Sequence, residues 1–216
     1  TGGFFYWCQI VLYLTSIVET LKKHLHIALP VRLLLLLLFV SGSLFAQEPK
    51  ELFRSDEVLN ITLSFNEKEV YNDLEEREWH QATISWKSDD GSISELTPRV
   101  QVRGKTRAKK ATCRIPPLFI SFKGVETKGT PFHKQKKIKL VTHCKDSKSY
   151  KEYVKKEYLA YKLYNLVTPY SFNVRLCKIN YVDTQKEADS AFHYGFLIES
   201  IKDVGKRSNM KEYEGV

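Results

Sequence analysis

The chain carries no methionine that could start it: residue 1 is Thr, and the single Met is Met210. The expectation is a fragment, or a reading frame taken too far upstream. An apolar run of the roughly 20 residues that cross a bilayer is also missing, since the run at 33–40 stops well short of that. No Cys stands near Ala46, which argues against a lipid-modified N-terminus. The four Cys and six scattered His do not fall at zinc-site spacings. The adjacent His143-Cys144 pair reads as structural, and no metal-ligand set is expected. There is no internal repeat and no low-complexity stretch.

What the chain does have begins with a leader. Lys22, Lys23 and Arg32 precede the apolar run, and Ser41-Gly42-Ser43-Leu44-Phe45-Ala46 closes it with small residues. That charged, apolar, small order is the pattern of a signal peptide over 22–46, cleaved after Ala46. It sends the remainder to the periplasm, the cell surface or the medium, with no stable membrane span after cleavage. An uncleaved anchor stays open as the alternative. Residues 1–21, apolar over 4–18, read as an upstream extension or a second anchor.

Charge is unevenly spread over the mature part. Lys and Arg against Asp and Glu give −8 for 47–98, +15 for 99–156 and 0 for 157–216. A concentrated basic segment suits an anionic partner, either phosphate groups or an acidic envelope polymer. In an exported protein nucleic acid is not expected. A merely solvated basic face, docked on the acidic first third, accounts for the same pattern. After cleavage Cys113, Cys144 and Cys177 remain. Outside the cytoplasm one pair can oxidise, and Cys113 with Cys144, beside segments expected to be neighbouring strands, is the favoured pair.

Periodicity places strands at 58–65, 81–87, a segment reaching Arg103, 118–123 and 137–141. Asn66 caps a helix over 67–77. The period then changes to a helix over 150–167, with Val154, Tyr158, Tyr161, Leu163 and Leu166 along one stripe. Strands at 172–182 and 193–199 follow, and the chain turns charged and aperiodic after Ile201. The fold class expected is α+β: a mainly antiparallel sheet with one long helix packed on it. It divides into a strand–helix–strand region at 47–98, a core region at 99–200 and the start of a truncated part at 201–216. The element order is that of a protein-kinase small lobe, where a strand Lys faces the nucleotide phosphates and a helix Glu holds it in place.

Arg103-Gly104, the strand Lys137-Ile138-Lys139-Leu140 and the helix segment Lys156-Glu157-Tyr158-Leu159-Ala160-Tyr161-Lys162-Leu163 carry a resemblance. Together with Val174-Arg175-Leu176 and Gly195-Phe196-Leu197-Ile198-Glu199 they resemble the spore-coat CotH-type family of atypical secreted kinases. Pro116-Pro117-Leu118 and Lys139-Leu140-Val141-Thr142-His143-Cys144 are similar to a set of uncharacterised exported bacterial proteins with the same framework. The likeness spans residues 99–199.

The resemblance implies that Lys139 faces phosphate, with Glu157 as its helix partner and Lys123 as a competitor for the role. It places Arg103 at a phosphate or structural turn contact and Glu199 at the edge where an adenine sits. ATP and a divalent metal are the implied cofactors of a full-length protein. Nothing here matches an Asp-Phe-Asp or Asp-Phe-Gly element, so catalytic aspartates are expected downstream, and these residues alone should not transfer phosphate. Two functions follow. One is the phosphate-binding half of an exported kinase-like protein. The other is a non-catalytic envelope module that grips an acidic polymer through its basic segment.

Overall fold

Alternating apolar residues in β1 (Leu59–Phe65) put Leu59, Ile61, Leu63 and Phe65 on one face and leave the intervening residues outward. The strands that follow are β2 (His80–Lys87), β3 (Ile93–Leu96), β4 (Arg99–Val102), β5 (Leu118–Ser121), β6 (Lys137–Val141), β7 (Val174–Asp183) and β8 (Phe192–Ile198), whose last four residues are all buried. In the computed structural model these strands form one sheet that rolls into a closed barrel. The structure describes residues 49–88, 90–109, 111–186 and 192–211. The leader at 22–46 and the extension at 1–21 lie outside the described residues. So does the end of the 201–216 part.

Closure overturns the expected open α+β sheet of a kinase lobe. Strand order runs β1-β7-β8-β6-β5-β4-β2, and β2 returns to pair with β1, giving seven strands around the barrel. Six of the seven contacts are antiparallel. β1 and β7 are parallel, from Leu59↔Cys177 to Phe65↔Asp183. That parallel pair joins segments far apart in sequence, and periodicity within a strand does not reveal which distant strand will be its neighbour. Rolling the sheet buries one face around a shared interior and leaves the seven strands with no free edge.

The interior is filled by branched side chains. Leu63, Ile84, Leu118, Ile120, Ile138, Leu140, Ile179 and Leu197 are all under 2 % exposed. Each such side chain contributes roughly 1.5–3 kcal/mol of transfer free energy. Gly195 of β8 faces the same interior, where a Cβ would lie 2.8 Å from the Val141 carbonyl oxygen and 2.9 Å from Ile179 Cδ1. Arg175 on β7 closes one end. It is buried, and it donates to the carbonyls of Glu57 at 2.6 Å and Leu52 at 3.2 Å, fixing the 3-10 turn Glu51–Phe53 across the mouth.

Other elements depart from expectation for identifiable reasons. The strand expected to reach Arg103 is split into β3 and β4, which lie end to end along β2. Pro98 sits at the break, where it has no N–H to give the ladder. Its carbonyl still accepts from Ala82 at 3.0 Å. Helix α1 (Glu67–Asn72) is capped as expected, with Asn66 Oδ1 accepting from the Glu69 amide at 3.2 Å. It stops early because the Asp73 carboxylate takes the Arg77 and Glu78 amides and turns the chain away.

Helix α2 (Lys148–Val167) lies outside the barrel, with Val154 and Tyr158 buried in a second cluster with Val141, Val174, Phe196 and Ile198. Leu163 and Leu166, expected on its buried stripe, face outward instead. The stretch after Ile201, expected to be aperiodic, forms helix α3 (Ile201–Arg207), capped by Ser200 Oγ on the Asp203 amide at 3.2 Å. Among the described residues no helix is long and apolar enough to cross a membrane.

Candidate anion-binding cleft and the residues around it

The pleat of β6 turns Ile138 and Leu140 into the barrel and therefore sends Lys137 and Lys139 outward. On β5, Phe119 is the register partner of Lys139 and shares that outer face. The Lys137 ammonium sits 4.8 Å from the Phe119 ring centroid, and the Lys139 ammonium 5.1 Å from that of Phe172. Such contacts steady a flexible cation without neutralising it.

These strands form one wall of a cleft of about 840 Å³ whose other wall is α3. Lys134, Lys136, Lys137 and Lys139 line it from the β6 side; Lys202, Lys206 and Arg207 come from α3, and Lys50 from the lead-in. Among the described lining residues, Glu199 and Asp203 are the carboxylates set against these eight cations.

Both carboxylates are already committed. Asp203 accepts from Lys50 Nζ at 2.7 Å and from Ser200 Oγ at 2.8 Å. Glu199 is 2 % exposed and accepts from the Asn173 amide and side chain at 3.0 Å each. It also takes the Arg207 guanidinium at 3.1 Å. Arg207 reaches on to the carbonyls of Pro169 and Ser171. Glu199 is thus a clasp that holds α3 against β7 and β8. The described lining residues carry a formal excess of six positive charges.

The structure brings Lys139 and Glu199 into one cleft, and places the other expected site residues elsewhere. Glu157 on α2 faces Arg107 at 3.8 Å, both half exposed, and lines a separate depression of about 190 Å³. The Lys139–Glu157 pairing that the resemblance implies is therefore divided between two depressions. Arg103 follows β4, with its guanidinium 5.6 Å from the Phe119 ring. Burial, then the adjacent Arg107, lowers its pKa from the ordinary value, with Tyr161 and Glu157 opposing. Lys123 is exposed on the turn after β5, outside the residues that line the cleft.

A second group lies at the barrel end where β6 and β7 finish and β8 begins. A disulfide joins Cys113 to Cys144, as favoured from sequence, and Cys144 accepts the Arg114 and Ile115 amides at 2.9 and 3.1 Å. The preceding residue, His143, is 1 % exposed. Its ring stacks on His193 with centroids 4.0 Å apart and planes 10° from parallel. Burial, then the neighbouring His193, pushes the His143 imidazole down to about 4, so it is neutral at physiological pH.

Asp146 Oδ1 lies 3.3 Å from His143 Nε2 and 3.9 Å from His193 Nε2. Arg114 holds the other carboxylate oxygen at 2.5 Å. Burial opposes ionisation of Asp146, yet Arg114 and the two imidazoles outweigh it and keep the carboxyl below its ordinary range. Reading the six His as scattered missed this group. The His143-x-x-Asp146 spacing and the inward parity of His193 on β8 were the signals available.

No protein-family model, curated protein or solved structure matches the chain. The CotH-type resemblance stands on its motif residues alone, and the lobe architecture it implied is replaced by the barrel.

Proposed function

We propose that the described region is a non-catalytic module of the cell exterior that grips an acidic envelope polymer in its basic cleft. The observation that carries this reading is the pairing of eight cations with two committed carboxylates around about 840 Å³. A single phosphate monoester brings only about two negative charges at neutral pH. A polymer with repeated phosphate or carboxylate groups balances the cleft better. The basic walls come from four Lys of the middle segment and three cations of α3, so the charge is concentrated by folding and not merely by composition. Export is supported by the order of residues 22–46, and by the Cys113–Cys144 disulfide, which suits an oxidising compartment.

The test is binding of inorganic polyphosphate and of polyglutamate to the full chain across a salt series. Affinity should fall steeply as ionic strength rises, and Lys137→Glu combined with Lys202→Glu should weaken both polymers. Binding indifferent to salt and to the double reversal would remove the cleft from the account. Tighter, metal-dependent binding of ATP than of either polymer would favour the phosphate-binding half of a kinase-like protein instead.

A further inference from the structure

The stacked histidines lie apart from the cleft, and nothing in the polymer reading uses them. Three elements converge there: the residue pair after β6, the segment just before α2 and the start of β8. They bring two imidazole nitrogens to one carboxylate oxygen at 3.3 and 3.9 Å, and all three ligand atoms lie within 4.8 Å of one another. Zinc binds His nitrogen and carboxylate oxygen at about 2.0–2.2 Å, which sets tetrahedral ligand atoms roughly 3.4 Å apart. The observed separations bracket that value, and an ion is admitted once the two rings, now 10° from parallel, turn out of their stack so that both nitrogen lone pairs meet.

The surroundings fit as well. Arg114 secures Asp146 Oδ2 and leaves Oδ1 directed at the imidazoles, which is how an outer-shell partner orients a ligating carboxylate. His143 is held between Thr142, whose Oγ donates to the Ile115 carbonyl at 2.5 Å, and the disulfide-bonded Cys144. His143 also lines the depression of about 190 Å³ beside α2, an approach for a small hydrated ion.

We propose that His143, Asp146 and His193 bind one divalent first-row transition metal ion, best matched by Zn2+. Two nitrogens and one carboxylate exclude a soft thiolate site and disfavour the all-oxygen shells of Ca2+ and Mg2+. Three protein ligands leave a fourth position for water or for an anionic group.

The experiment is calorimetric titration of the metal-stripped, tag-free full chain with ZnCl2, repeated with CaCl2, and with CoCl2 followed by visible absorption. The expected result is one Zn2+ per chain, no comparable uptake of Ca2+, and a Co2+ spectrum without sulfur charge-transfer bands. His193→Gln and Asp146→Asn, each checked for native circular dichroism, should each weaken binding at least about tenfold. Absence of stoichiometric uptake overturns the site. So does uptake that either variant leaves unchanged, because the ion is then held by other groups. Should one variant fail to fold, the other and the Co2+ spectrum still decide.

Discussion

The Glu199 carboxylate and the Arg207 guanidinium meet at 3.1 Å with Glu199 almost wholly buried, and this pair fastens the last described helix to the barrel. Removing one member leaves the other charged and without its partner away from water. Loss of one partner of a buried pair costs about 3–5 kcal/mol. Arg207→Ala and Glu199→Ala should each lower stability in urea denaturation by an amount in that range. The double variant should cost less than the two singles together. If Glu199→Ala left stability unchanged while abolishing ligand binding, the residue would be a ligand contact and not a clasp.

Gly195 tests the barrel interior. A methyl group there meets backbone at 2.8 Å and the Ile179 side chain at 2.9 Å. Ile179 can rotate, but the Val141 carbonyl is held in the β6–β8 ladder. Gly195→Ala should therefore destabilise by about 1–3 kcal/mol, the ordinary cost of overpacking. An unchanged denaturation midpoint would mean that the interior at this level is looser than described.

Local periodicity made nearly every strand legible, because the rule that alternates Ile138 and Leu140 with Lys137 and Lys139 operates inside a five-residue window. The Asn66 cap was legible for the same local reason, whereas the Cys113–Cys144 pair, 31 residues apart, was favoured from export and from the strands expected beside it. Closure was not, since it depends on Leu59–Phe65 choosing Val174–Asp183 as a parallel neighbour. The cleft was half legible. Its β6 wall came from the evident +15 segment, but Lys202, Lys206 and Arg207 belong to a stretch of zero net charge that looked aperiodic. The outward side of α2 misled because Leu163 and Leu166 share a helical stripe that the barrel does not cover.

Cys177 is the free cysteine among the described residues, and it sits inside the barrel at 0 % exposure. Burial pushes its thiol up to about 12, with Arg175 only partly offsetting. The nucleophile in alkylation is the thiolate, so Cys177 should resist iodoacetamide at mildly alkaline pH. Peptide mapping by mass spectrometry checks this. The Cys177 peptide should stay unlabelled in the native protein and become labelled in denaturant. Rapid native labelling would show that the barrel opens far more often than its interior implies.

The disulfide stabilises the fold by shortening the free loop of the unfolded chain. Cys113 and Cys144 are 31 residues apart, and cross-linking a loop of that size restricts the unfolded chain enough to stabilise the fold by roughly 2–4 kcal/mol. The bonded backbone does more than close a loop. The Cys144 carbonyl accepts from Arg114 and Ile115, and Arg114 in turn holds Asp146 beside the two histidines. A Cys113→Ser, Cys144→Ser double variant should therefore lower the thermal midpoint and also loosen the His143–Asp146 geometry. The decisive comparison is Zn2+ affinity in the folded double variant at low temperature. A fall there, with stability still adequate, means the disulfide positions the ligands. A loss of stability with affinity intact would confine its role to the unfolded chain.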